Sequence, residues 1–176
     1  MPQYRRYYQL GSCVFLSIVT HQRRPIFQQT ENIQKLRLAT AQMKAEMPVD
    51  IVAAVVLPDH LHFLWRLPEN DWDYSKRVGR MKVLFSKSMG DVGYEAKYLS
   101  HSRIKHREKG IWQRRFWEST VRDSAELEAY ANYIHFNPVK HGYVSCPHRW
   151  QYSSFHRWVL SGKLTRDWGC SCGGST

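Results

Sequence analysis

Acidic residues are scarce in this chain: its 176 residues hold 15 Asp and Glu against 26 Lys and Arg, a formal net charge of +11. That excess favours a polyanionic partner, and an aromatic share of 14% supplies rings on which bases can stack. Long apolar runs are missing too. The opening MPQYRRYYQL has no signal-like apolar core, no stretch approaches a membrane span, and no long basic amphipathic helix is free of core duties. A cytoplasmic protein without a membrane partner is expected. Cysteines are few and scattered (Cys13, Cys146, Cys170 and Cys172). Only the last two are close, and Cys170-Ser171-Cys172 lacks a second ligand pair, which argues against zinc and for a reduced chain. Walker and Rossmann fingerprints, internal repeats and low-complexity segments are all absent, so no nucleotide cofactor is implied. The length suits a single domain over 1–176, with a basic N-terminal arm (1–10) and a C-terminal tail from about 160 to 176.

What is present centres on Ile51–Leu67. Ile51 to Leu57 is a β-branched and small apolar run that reads as a buried strand. Pro58 and Asp59 break it, and His60-Leu61-His62-Phe63-Leu64-Trp65 reads as a second strand. Side chains alternate along a strand, so His60 and His62 face the same way. Two imidazoles so placed can converge on a divalent cation. With 9 His in 176 residues, composition alone supplies roughly half of one His-x-His pair, so the tripeptide by itself is weak. Its setting inside an apolar strand strengthens it, because buried imidazoles need partners. At this point core histidines and metal ligands both stand.

The remaining elements fall into order around that stretch. Cys13–Thr20 reads as a strand, and Glu31–Met47 as a helix with Ile33, Leu36, Thr40, Met43 and Met47 on one face. Asp73 caps a helix to about Met89 that turns Val78, Met81, Phe85 and Met89 inward and Lys76, Arg77, Arg80, Lys82 and Lys87 outward. Gly90–Gly110 is a long basic loop, and Ile111–Arg122 a last strand with Arg114 and Arg115 between Trp112, Phe116 and Trp117. A helix from Asp123 or Ser124 to about Phe136 closes the series. The order β-α-β-β-α-β-α predicts an α+β, ferredoxin-like split βαβ antiparallel sheet with the His-x-His motif on a central strand and an added C-terminal helix. One open sheet face is expected for ligand and metal.

On that last helix Leu127, Tyr130, Ala131 and Ile134 form the core stripe, and Tyr133 and Asn137 lie together on its flank, one turn apart. Pro138 is expected to end the helix at Asn137 and leave its amide pointing outward. Taken alone, Tyr133 is an ordinary boundary tyrosine and Asn137 an ordinary terminator.

Taken together, these motifs resemble the REP-associated tyrosine transposases, single-tyrosine relatives of the HUH endonucleases. The residues that carry the resemblance are Leu57-Pro58 with His60-Leu61-His62, and Tyr133-Ile134-His135-Phe136-Asn137-Pro138-Val139-Lys140-His141-Gly142. Tyr4-Arg5-Arg6-Tyr7-Tyr8, Ile111–Glu118 with Arg122 and Asp123, and Trp150 with Ser153-Ser154-Phe155-His156 extend it over about residues 4 to 160. The long Gly90–Gly110 loop and the Cys170–Thr176 tail depart from the family pattern. The resemblance implies His60, His62 and Asn137 as metal ligands, with magnesium or manganese as the ion, and Tyr133 as nucleophile. It implies a single-strand DNA endonuclease and strand transferase working through a 5′-phosphotyrosine. The implied partner is a single-stranded hairpin from a REP palindrome with a flanking tetranucleotide, bound by a monomer. Arg5, Arg6, Arg114, Arg115 and Lys140 are the expected phosphate contacts, and Tyr4, Tyr7 and Trp117 the stacking platforms. A phenol is a better leaving group than an alkyl hydroxyl, which suits a reversible phosphoryl exchange. The alternatives are a replication-initiator or relaxase-type nickase, and a domesticated DNA- or RNA-binding module without catalysis.

Overall fold

Three largely apolar segments and one short polar one build the sheet that positions everything else. The computed structural model of the chain describes residues 9–90 and 110–171. The arm residues Tyr4, Arg5, Arg6 and Tyr7, most of the 90–110 loop and the end of the tail lie outside the described residues. The strands are β1 (Cys13–Val19), β2 (Asp50–Val56), β3 (His60–Arg66) and β4 (Trp117–Thr120). The helices are α1 (Thr30–Glu46), α2 (Tyr74–Ser88), α3 (Ser124–Lys140) and the short α4 (Phe155–Leu160). The sheet is antiparallel in the order β2-β3-β1-β4, the ferredoxin-like split βαβ arrangement, with the His-x-His strand inside.

Both faces of β3 are covered, which corrects the expected open face. Leu61, Phe63 and Trp65 enter a core with Ile33, Leu36 and Met43 of α1 and Val78, Met81 and Phe85 of α2. Leu64, on the other face, packs with Phe15, Ala53, Val55, Leu57 and the α3 residues Ala131 and Ile134. His60 and His62 share the face of Leu64 by alternation. The second layer therefore brings α3 down onto the sheet and confines the histidines beneath its C-terminal half.

Arg77 is a second correction, for it does not join a solvated positive face. It is 2% exposed. Its guanidinium donates to Asp71 Oδ2 at 2.6 Å, to the Pro48 carbonyl at 2.8 Å and to the Asp73 carbonyl at 3.1 Å, tying α2 to the end of α1. Arg80 is likewise engaged by Glu46, and Lys82 donates to the Gln113 carbonyl. Charge marks a residue as polar but does not say that water is its partner. Arg77→Met should lower unfolding free energy by about 2–4 kcal/mol, because it strands carbonyl acceptors and half of an ion pair. Urea denaturation followed by circular dichroism checks this, and a loss below about 0.5 kcal/mol would contradict it. Arg77 also holds the Asp71 carboxyl down at about 2, so this pairing stabilises fully above the ordinary carboxylate value of 3.8 and fades as pH falls through 2.

The expected strand over Ile111–Arg122 is split. Ile111 and Gln113 exchange backbone hydrogen bonds with His21 and Val19, and Trp112 turns into the α1/α2 core. Residues 114–116 then leave the ladder before β4 resumes beside β1. Arg114 and Arg115 are exposed by that excursion.

The cysteines supply a further correction. Cys146 and Cys170, 24 residues apart, are joined as a disulfide. The chain doubles back after α4, and Ser171 N–H donates to the Ser145 carbonyl at 2.8 Å, a reversal that spacing alone does not reveal. Among the described residues no helix is long and apolar enough to cross a membrane.

Candidate active site

β3 sets two imidazoles two residues apart on one face, with ring centroids 5.0 Å from each other. His60 is fixed from behind: its Nδ1 lies 2.6 Å from Asp59 Oδ1, and Arg23 donates to Asp59 Oδ2 at 2.9 Å. Burial works to raise the Asp59 carboxyl, but the hydrogen bonds from His60 and Arg23 outweigh it and hold the group below its ordinary range. A carboxylate on Nδ1 fixes the tautomer and leaves Nε2 as the free lone pair, the outer arrangement typical of metal-binding histidines.

His62 is 4% exposed, and among the described residues neither ring nitrogen has a hydrogen-bond partner. Burial, then the neighbouring His60 and His141, push its pKa down to about 3, so the ring is neutral at ordinary pH. A buried neutral imidazole with two unsatisfied nitrogens is costly unless something absent from the chain itself engages it.

α3 brings the other groups. Asp123 caps it by accepting from Glu126 N–H at 2.8 Å. Tyr130 stacks on Phe15 of β1 with centroids 4.6 Å apart, as a residue of the core stripe should. Tyr133, one turn along, is 38% exposed and presents its ring edge-on to His62 at 5.4 Å. The Lys140 ammonium lies 4.8 Å from the centroid of the Tyr133 ring.

Asn137 departs from expectation. The helix does not stop before Pro138 but runs to Lys140, and Asn137 is 0% exposed rather than turned to solvent. Pro138 removes only one donor so close to the end, and the final carbonyls are claimed by the N–H groups of His141, Gly142 and Tyr143. Both atoms of the Asn137 amide are buried and unpartnered among the described residues. Two orphaned side chains, His62 and Asn137, on facing elements with a neutral ring and an amide oxygen to offer, fit a divalent cation.

Of the expected DNA contacts, the structure places Trp117 and Lys140 beside this cluster. Trp117 pairs with Ser17, the cross-strand neighbour of His62, is 52% exposed and packs edge-on against Phe15 at 5.5 Å. Arg114 and Arg115 lie just before it on the exposed excursion.

Three residues escaped the sequence reading. Asp59 was taken only as a turn residue. His141 stands with its ring 5.3 Å from His60, and its placement depends on the helix continuing through Pro138. His135 is fully buried, with Nε2 2.8 Å from Ser154 Oγ. That hydroxyl also accepts from Ala54 N–H, so its contacts bridge β2 to α3. The Ser153-Ser154-Phe155 motif thus anchors the tyrosine helix rather than touching the site.

The family described as "Transposase IS200 like" matches residues 13–137. The REP-associated tyrosine transposase of Escherichia coli is 38% identical over 168 residues, covering 96% of this chain and 91% of that protein. A Haemophilus influenzae protein provisionally given the same name is 41% identical over 169 residues, covering 96% of this chain and 94% of its own. A solved structure of a REP-associated tyrosine transposase bound to a REP hairpin superposes with a TM-score of 0.81 at 38% identity, covering 96% of this chain and 91% of that one.

Proposed function

The chain belongs to the IS200-like transposases, and within them to the REP-associated tyrosine transposases, and from that premise we propose that Tyr133 is the nucleophile of its single-strand DNA endonuclease and strand-transfer reaction. The observation that carries this reading is the Tyr133 ring set against His62, whose two nitrogens lack partners, with the unpartnered Asn137 amide one turn further along the same helix. The substrate is a single-stranded hairpin of the REP type, in keeping with the hairpin on the related structure, with a short flanking tetranucleotide read beside it.

His60, His62 and Asn137 are the residues that would hold a divalent ion, magnesium or manganese. When bound, the ion polarises and orients a phosphate oxygen. The chain does the rest. Tyr133 Oη attacks the scissile phosphorus, the phenolic proton departs, and the bond to the 3′-oxygen breaks. One strand then ends in a 3′-hydroxyl, and the other is held as a 5′-phosphotyrosine. Attack by a 3′-hydroxyl reverses the step and rejoins DNA without nucleotide hydrolysis. Lys140 puts positive charge beside the reacting phosphate, Arg114 and Arg115 take flanking phosphates, and Trp117 offers a stacking face. In the arm, Arg5 and Arg6 grip phosphates and Tyr4 and Tyr7 stack.

The test is incubation with REP-type hairpins labelled at the 5′ or the 3′ end, followed by a denaturing gel. Label should stay on the protein only from the strand downstream of the cut, and only with divalent metal present. Tight binding with no adduct under any metal would favour a non-catalytic module instead.

β3 supplies the histidines and α3 the tyrosine, and on that basis a monomer acting in cis is expected. Mixing His60→Ala protein with Tyr133→Phe protein should leave cleavage at background. Recovery in the mixture towards about a quarter or more of wild-type rate would mean that subunits share the site.

A further inference from the structure

Away from the histidine strand, three side chains with soft or borderline donor atoms meet at the base of the C-terminal segment. Cys146, His148 and Cys170 each offer one donor atom, and these lie within 4.8 Å of one another. We propose that in its dithiol form this cluster is a zinc site, distinct from the catalytic metal, that joins Cys146 and His148 to Cys170 of the tail.

Four observations converge on it. Cys146 and Cys170 already stand side by side, with Cα atoms 4.2 Å apart, so reduction leaves two thiols at one point of the fold. An imidazole stands beside them, with His148 Nδ1 3.9 Å from Cys170 Sγ, an arrangement that a disulfide does not require. The two segments are registered by Ser171, whose N–H and Oγ donate to the Ser145 carbonyl at 2.8 and 3.0 Å. Finally, Cys146 and His148 are two residues apart, so one short segment carries two of the three donors.

Zinc suits this donor set because it takes thiolate sulfur at about 2.3 Å and imidazole nitrogen at about 2.0–2.1 Å, and Cys146, His148 and Cys170 would fill three of its four tetrahedral positions. Binding converts two thiols to thiolates and releases two protons, while the imidazole ligates as its neutral form. His148 Nδ1 also lies 3.1 Å from the Arg166 carbonyl oxygen. Ligation through Nε2 keeps that contact as the outer partner that metal-bound imidazoles commonly have, and ligation through Nδ1 replaces it.

The site would hold a particular piece of chain in place. Just before Cys170, Gly169 has φ +68° and approaches α3 so closely that a Cβ there would lie 3.1 Å from Phe136 Cδ2. Trp168 and Gly169 line a pocket with Ala129, Asn132, Phe136 and Tyr133. The zinc ion would fasten the tail that forms one wall of the space beside the tyrosine.

The experiment uses the full chain, reduced with dithiothreitol, incubated with zinc and desalted, with metal measured by mass spectrometry. About one zinc per chain is expected, retained in a His60→Ala/His62→Ala double variant and lost in Cys170→Ser. His148→Ala should weaken retention against a chelating dye at least tenfold. Cobalt in place of zinc should give near-ultraviolet thiolate charge-transfer absorption in wild type and in the double variant. Because Cys146 is buried, the parallel measurement avoids mutation: a mercurial titrated into wild type should release zinc in step with thiol modification. Less than a tenth of an equivalent of zinc in fully reduced protein overturns the proposal, as does zinc that leaves with His60 and His62 but survives Cys170→Ser.

Discussion

Tyr133→Phe should bind its hairpin with wild-type affinity and form no covalent adduct at all. The substitution removes one oxygen and leaves the ring, so the edge contacts with His62 at 5.4 Å and Phe15 at 5.8 Å persist. Tyr133 is 38% exposed, so the lost hydroxyl leaves no buried polar partner stranded, and the fold should be unchanged within about 0.5 kcal/mol. On the proposed assignment the nucleophile itself is gone, so the loss is total rather than graded. Tyr130→Phe is the matched control. Its ring is stacked on Phe15 and removed from the His62 edge, and adduct formation should remain within about threefold of wild type. A labelled-hairpin gel with both variants decides the assignment. An adduct that survives Tyr133→Phe and vanishes in Tyr130→Phe would move the chemistry one helical turn towards the N-terminus.

His60→Ala and His62→Ala should each slow cleavage by about 10²–10⁴-fold, roughly 3–5 kcal/mol of barrier, while hairpin affinity changes little. The two should differ in stability. His60 is tied through Asp59 to Arg23, so its removal frees a carboxylate that is only partly buried. His62 makes no hydrogen bond among the described residues, so replacing it removes an unsatisfied group along with some packing volume. Manganese should raise the melting temperature of wild type, because the ion binds the folded state alone, and should not do so in His62→Ala. Equal manganese stabilisation in wild type and in His62→Ala, or cleavage indifferent to chelator, would remove these histidines from the metal site.

The sheet order and the placement of His60, His62, Tyr130 and Tyr133 were legible because period-two and period-3.6 patterns fix faces, and faces fix neighbours. Asn137 was placed on the correct side of α3 but misjudged for burial. The rule that the residue before proline leaves the helix was overridden by the N–H groups that claim the last carbonyls. The split before β4 was hidden because it depends on backbone pairing of Gln113 with Val19 of β1 and of Ile111 with His21 just beyond it, and backbone pairing leaves no trace in side-chain pattern. Arg77 was misread because most of its acceptors are carbonyls, those of Met47, Pro48 and Asp73, which carry no compositional signal. The approach of Cys146 to Cys170 follows from chain reversal after α4, a tertiary event. The Ser153-Ser154-Phe155 motif was visible, but its duty as a brace was not.

That brace constrains how strand exchange can proceed. His135 and Ser154 bolt α3 to β2, Tyr130 is stacked on β1, and Ala131 and Ile134 are sealed in the core between them. The helix has no freedom to swing or roll without breaking several of these fastenings at once. On the proposed assignment, a 5′ end attached to Tyr133 is therefore on a leash no longer than one side chain, and the free 3′-hydroxyl is the end expected to travel between cutting and rejoining.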